Sequence, residues 1–158
     1  MSTDPIPEPE GQPQRKAKPL TQRHINRMAI VQFLYMADMN PPDELSDTVR
    51  NFFQDQEKPR EYYEYSEEVI HDIQDKLTEI DQQIQEYSQN WKLSRIAKTD
   101  LAILRLGMYE IFHRDDIPPV VVIDEAIELS REFSTDQSNS FINGILDRAL
   151  RAHNEQES

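Results

Sequence analysis

The sequence predicts an all-helical domain of about six to seven helices, and three observations lead there. Apolar residues recur at spacings of three and four over most of residues 20–152. Only three glycines occur in 158 residues, and two of them, Gly107 and Gly144, lie inside apolar-periodic segments. No Asn-Gly or Asp-Gly hairpin signal stands between alternating apolar and polar runs.

The first helix is expected over residues 21–39. There Ile25, Met28, Ala29, Val31, Phe33, Leu34, Tyr35 and Met36 nearly encircle the axis, the pattern of a helix central to a core. Asn40-Pro41-Pro42 stops it, because proline supplies no donor and disfavours helical backbone in the residue before it. A modest helix follows over residues 43–56, striped by Leu45, Val49, Phe52 and Phe53. After Pro59 the pattern predicts one long helix over residues 61–88. Val69, Ile73, Leu77, Ile80, Ile84 and Tyr87 step by 4, 4, 3, 4 and 3. Its remaining faces are strongly acidic, the usual mark of a solvated surface.

A linker around Asn90-Trp91 leads to a helix over residues 99–113, striped by Leu101, Leu104, Met108, Ile111 and Phe112. Pro118-Pro119 ends the next linker. Val120 to Ile123 carry strand propensity, yet Ile123, Ala126, Ile127 and Ser130 to Phe133 keep helical spacing, so a helix is expected there. Ser134 and Gln137 stand at capping-box spacing and open the last helix, which buries Phe141, Ile142, Ile145, Leu146 and Ala149. Residues 1–19 hold five of the ten prolines and only Met1, Ile6 and Ala17 as apolar residues, too little to offset ordering entropy. They are read as a disordered, basic-ended tail, residues 20–152 as the folded domain and 153–158 as a frayed end.

Seventeen basic against 30 acidic side chains give a net charge of -13, which argues against wholesale wrapping of nucleic acid or an anionic membrane. The layout refines this. Residues 38–90 hold -11 of the total, whereas residues 11–37 contain five bases, one His and no acid. The absence of Cys removes disulfides, zinc ribbons and thiol nucleophiles and fits a reducing compartment. No apolar run approaches the roughly 20 residues of a membrane span, and no apolar signal region opens the chain. A cytoplasmic address without a membrane partner is expected.

Catalysis finds little support. The glycines are too far apart for a phosphate-cradling loop. Glu68 with His71 and Glu110 with His113 are two Glu-x-x-His pairs on predicted helices, as in di-iron bundles. At about 100° per residue all four lie roughly 150° from the centre of their apolar stripes and are expected to point outward. No strand-turn-helix context presents a Ser nucleophile. The expectation is a binding protein with no catalytic residue, cofactor or metal. Arg15, Lys16 and Lys18 on the lead, with Arg23, His24 and Arg27 on the first helix, form a candidate phosphate-contacting patch. The same cations also fit a simpler role, balancing the acidic middle.

The string Arg27-Met28-Ala29-Ile30-Val31-Gln32-Phe33-Leu34-Tyr35 resembles the first helix of the NusB family. Trp91-Lys92-Leu93-Ser94-Arg95-Ile96, Asp100 to Arg105 and Tyr109-Glu110 resemble that family's central block. Val122-Ile123-Asp124-Glu125-Ala126-Ile127-Glu128-Leu129 and Phe141-Ile142-Asn143-Gly144-Ile145-Leu146-Asp147 resemble its last two segments. Residues 41–90 match only in helical character and length.

The resemblance implies two small helical bundles packed together and a role in transcription antitermination and ribosomal RNA synthesis. It implies partners as well: boxA-type single-stranded RNA, the ribosomal protein NusE, other Nus factors and RNA polymerase. Carried over by position, RNA contacts fall on Arg23, His24 and Arg27 and on Gln137, Ser138, Asn139 and Phe141, with Arg15, Lys16 and Lys18 as possible additions. NusE contacts fall on Tyr35 and Asp100. Phe141 and Tyr35 also fit core positions, and Asp100 also fits a helix first turn. Gln22-Arg23-His24-Ile25 is less arginine-dense than the family's usual start, so weak RNA binding that depends on NusE is expected. Two alternatives stay open: a helical scaffold binding only protein, and a stand-alone relative of the NusB-like domain of RsmB-type RNA methyltransferases. A homodimer is also compatible with the resemblance.

Overall fold

The computed structural model describes residues 20–89 and 91–157. These residues form seven α-helices and two 3-10 turns, with no strand among them. The helices are α1 Gln22–Met39, α2 Leu45–Gln54, α3 Glu64–Asp75, α4 Leu77–Tyr87, α5 Lys98–His113, α6 Pro119–Phe133 and α7 Asp136–Glu157. The 3-10 turns are Arg60–Tyr63, before α3, and Leu93–Arg95, before α5. The all-helical expectation therefore holds.

Helix α5 is the axis of the molecule. Twelve of its 16 residues are buried, far more than one stripe supplies, because it packs against α1, α3, α4, α6 and α7. One bundle is built from α1 to α3 and the other from α4, α6 and α7. They share α5 and one continuous apolar core that includes Phe33, Phe53, Ile70, Ile84, Leu104 and Leu146. Gly107 permits a close approach of α5 to α7. A Cβ there would stand 3.0 Å from both methyl carbons of Leu146 on α7.

Three local expectations change. The long acidic helix is two helices: the chain turns at Lys76, whose N–H is shared between the carbonyls of Asp72 at 3.0 Å and Ile73 at 3.1 Å. The first half then faces α1 through Val69, Ile70 and Ile73, and the second faces α5 and α7 through Ile80 and Ile84. The apolar steps run on through this change of axis because α4 begins one residue later, so periodicity alone does not reveal it. The start of α7 is capped by Thr135, whose hydroxyl accepts from the Ser138 N–H at 3.4 Å; Ser134 instead ends α6. Finally, α7 runs on to Glu157, past the Ala152 boundary, with His153 packed edge-on against Phe112.

At its start α1 is fixed from both sides. Thr21 caps it by accepting from the His24 N–H at 3.0 Å. Asn26 accepts the Ser66 N–H at 3.0 Å and donates to the Tyr62 carbonyl at 3.0 Å, which ties α1 to the start of α3. No helix among the described residues is long and apolar enough to cross a membrane.

Candidate nucleic-acid and partner interface

The start of α1 separates the three cationic candidates. Arg23 is exposed, its guanidinium carbon 3.7 Å above the Tyr65 ring. Arg27 lies inside the protein. Its Nε–H donates to both oxygens of Glu110 at 3.1 Å, and Nη1 stands 3.7 Å from Glu125. The two side chains of the Arg27–Glu110 pair are only 4% and 2% exposed. The Tyr65 hydroxyl also donates to Glu110. Burial and the neighbouring Glu110 charge push that phenol's pKa well up, so it stays a donor.

Outward orientation for Glu110 is therefore corrected. It sits on the side of α5 away from the apolar stripe, but α1 and α3 cover that side too, so it becomes interior and takes Arg27 as counter-charge. His71 and His113 are half-buried, and only Glu68 of the two Glu-x-x-His pairs is exposed, held by Arg114 at 2.9 Å.

His24 is buried as well, clamped between two carboxylates of α6: Nδ1 is 2.8 Å from Glu125 and Nε2 is 2.7 Å from Glu132. Two carboxylates require two N–H donors, and only the imidazolium has both. Burial alone pushes the His24 pKa down, but the two carboxylates outweigh it, and the pKa ends above the ordinary 6.5.

The start of α7 is organised by Asp100 in the first turn of α5. Asp100 is 6% exposed, and its two oxygens accept from Ser134 at 2.5 Å and Ser138 at 2.8 Å. Its carboxylate therefore holds the α6–α7 junction against α5. Asn139 accepts from the Ser130 hydroxyl at 2.5 Å, while Gln137 stays exposed. The last turn of α6 thus touches both candidate surfaces, Glu132 reaching His24 and Ser130 reaching Asn139. Arg15, Lys16 and Lys18 lie outside the described residues.

Beside the α7 start runs a groove of about 380 Å³ lined by Trp91, Arg95, Asp100, Gln137, Ser138 and Phe141 among others. Phe141 is half-buried, its ring in edge contact with Trp91 at 5.6 Å between centroids. Periodicity reasoning missed Trp91 and Arg95, since they stand between helices, where no stripe points at them. A lone Trp in a linker beside Lys92 and Arg95 was the available signal. Toward the other end of α1, Tyr35 is 43% exposed next to exposed Met36 and Met39, so it is a surface residue and not part of the core.

Comparison with known proteins agrees with this arrangement. The model of the NusB family matches residues 24–151. A transcription antitermination protein NusB from Acetivibrio thermocellus is 39% identical over 129 residues, covering 82% of this chain and 88% of its own. One from Geobacter sp. is 35% identical and covers 87% and 100%. Among solved structures, T. maritima NusB aligns with a TM-score of 0.77 at 33% identity, over 87% of this chain and 96% of that one. A crystal structure of antitermination factors NusB and NusE in complex with dsRNA shares the fold, with a TM-score of 0.74 at 20% identity over 83% and 97% of the two chains. With its helix order, its central α5 and a match running from His24 to Arg151, the chain belongs to the NusB family.

Proposed function

We propose that this chain is a transcription antitermination factor that binds boxA-type single-stranded RNA together with NusE and joins the RNA polymerase complex for ribosomal RNA synthesis. It acts by binding and not by catalysis, in the cytoplasm where the polymerase works. Relatives over most of the chain carry the antitermination name, which supports the role. The observation that carries the partner half is the patch of Tyr35, Met36 and Met39. Met39 is the i+4 neighbour of Tyr35 and the i+3 neighbour of Met36 on one helix, and the three form an apolar surface on a protein of net charge -13. Such a patch suits a basic protein with an apolar contact, and it leaves the RNA to Arg23 and the start of α7.

On this reading Arg23, Gln137 and Phe141 offer contacts to RNA, while His24, Arg27 and Asp100 face inward and serve the stability of the helices. Arg15, Lys16 and Lys18, which precede α1 in the sequence, add to the RNA path. The test is a titration of labelled boxA-type RNA with and without NusE. RNA affinity should rise when NusE is present, and Tyr35→Ala should reduce the NusE-dependent gain while leaving the melting temperature within a few degrees. If NusE does not bind and RNA shows no sequence preference in its presence, the reading falls.

A further inference from the structure

Trp91 is the only tryptophan of the chain, and it is 53% exposed. Its backbone carbonyl is held in place. The Ser88 hydroxyl and the Gln85 amide both donate to the Trp91 carbonyl, at 3.0 and 2.6 Å, while Gln85 Oε1 accepts from the Leu93 N–H at 3.3 Å. Gln89 takes φ 52°, the left-handed position that turns the chain out of α4. The indole therefore stands on an anchored backbone with Phe141 against it, and clefts open to either side. The α7 groove is one. The other, of about 360 Å³, is lined by Gln89, Trp91, Lys92 and Arg95.

The charges around Trp91 are unusual for this chain. In a chain of 30 acids and 17 bases, most of the described cations are taken: Lys98, Arg105, Arg114, Arg131 and Arg151, for example, all pair with carboxylates. Lys92 and Arg95 are exposed and have no carboxylate partner among the described residues. Among the described residues, the one acid lining either cleft is Asp100, whose oxygens already accept from Ser134 and Ser138. An exposed, pre-positioned aromatic flanked by two free cations is the chemistry that takes an unstacked base and its phosphates.

We propose that Trp91, Lys92 and Arg95 form a nucleotide platform on which one unstacked base of single-stranded RNA stacks on the indole while the flanking phosphates pair with the two cations. This rests on the RNA-binding reading above and carries the RNA path from the start of α7 across to the loop after α4. Phosphate pairing fixes the strand, and stacking tolerates any base, so the platform adds affinity more than sequence preference.

The experiment uses the full chain with NusE and a single-stranded boxA-type RNA of roughly 12 nucleotides. Tryptophan emission is read against the Trp91→Phe complex as blank, alongside the anisotropy of the labelled RNA. Emission should be quenched with the same midpoint as the anisotropy change, and the same sequence in duplex form should not quench it. Trp91→Ala should weaken RNA binding about 5- to 100-fold, and Trp91→Phe should largely retain it. Lys92→Glu with Arg95→Glu should lower the salt slope of binding by about 1.4, at roughly 0.7 per single-strand phosphate contact. That pair also decides the matter if the Trp91 variant proves poorly folded. RNA binding with unchanged emission and unchanged Trp91→Ala affinity overturns the platform and leaves the antitermination reading standing. Quenching by NusE alone, with RNA adding nothing, also overturns it and makes Trp91 a protein contact. Absence of RNA binding even with NusE removes both readings.

Discussion

Arg27 offers the sharpest test of how this helix start is used, because family position assigns it to RNA and the structure encloses it. Arg27→Met removes the cation and leaves the Glu110 carboxylate, 2% exposed, with the Tyr65 hydroxyl as its remaining partner. Breaking a buried pair from one side costs about 3–5 kcal/mol, since the surviving charge can neither ionise cheaply nor reach water. Glu125 is 23% exposed and can turn to solvent, so it adds little to the loss. For a domain of this size the melting temperature should fall by roughly 10–15 °C. Arg27→Met combined with Glu110→Met and Tyr65→Phe removes all three polar ends together and should recover at least half of that loss.

Two assays are needed, urea or thermal melts by circular dichroism and RNA anisotropy with NusE at a temperature where every variant is folded. The single variant should lose stability and keep its RNA affinity within about threefold, less than 1 kcal/mol. The opposite result, an unchanged melting temperature with RNA binding reduced tenfold or more, would show that Arg27 reaches phosphate and that the internal pair is not its role.

Two further outcomes follow from the same network. His24 has a folded pKa raised above 6.5, so its contribution to stability is full below about pH 6.5 and is lost as pH rises through the raised value. The wild-type melting temperature should therefore drop between near-neutral and alkaline pH relative to His24→Gln; parallel profiles for the two proteins would remove the imidazolium clamp. Asp100→Ala deletes two charge-assisted hydrogen bonds and should cost about 2–4 kcal/mol in urea melts. A variant that melts like the wild type and fails only to bind NusE would restore Asp100 as a direct partner contact.

The fold was legible because helical periodicity and proline punctuation are local properties, and helices written in them need no partner to be recognised. What stayed hidden depends on which element covers which. The break at Lys76 leaves the apolar steps intact, so only the differing partners of α3 and α4 reveal it. Glu110 looked exposed because one stripe defines one covered side, whereas α5 is covered nearly all round. Arg27 and His24 looked like free cations because their counter-charges are 83 to 108 residues away in sequence. Family position named Gln137, Ser138, Asn139 and Phe141, and all four stand in the first two turns of α7.

The charge layout then takes on a different meaning. An acidic protein binds a polyanion only where its own acids are prevented from facing it, and sequence alone counts the acids without saying where they are used. Here Glu110, Glu125 and Glu132 are turned onto Arg27 and His24, and Asp100 is turned onto two serine hydroxyls. Each contact removes a carboxylate from the edge formed by α1, the end of α6 and the start of α7. The free cations Lys92 and Arg95 lie along the groove continuing from that edge. The buried pairs thus do more than hold helices together, because Arg27 and His24 give up their own reach to phosphate while screening the acids behind them. Salt dependence separates this from a simple excess of positive charge: the six cations on the RNA path, Arg15, Lys16, Lys18, Arg23, Lys92 and Arg95, set a ceiling of about four on the slope this chain contributes, at roughly 0.7 per phosphate, and a steeper slope for the isolated chain would contradict it.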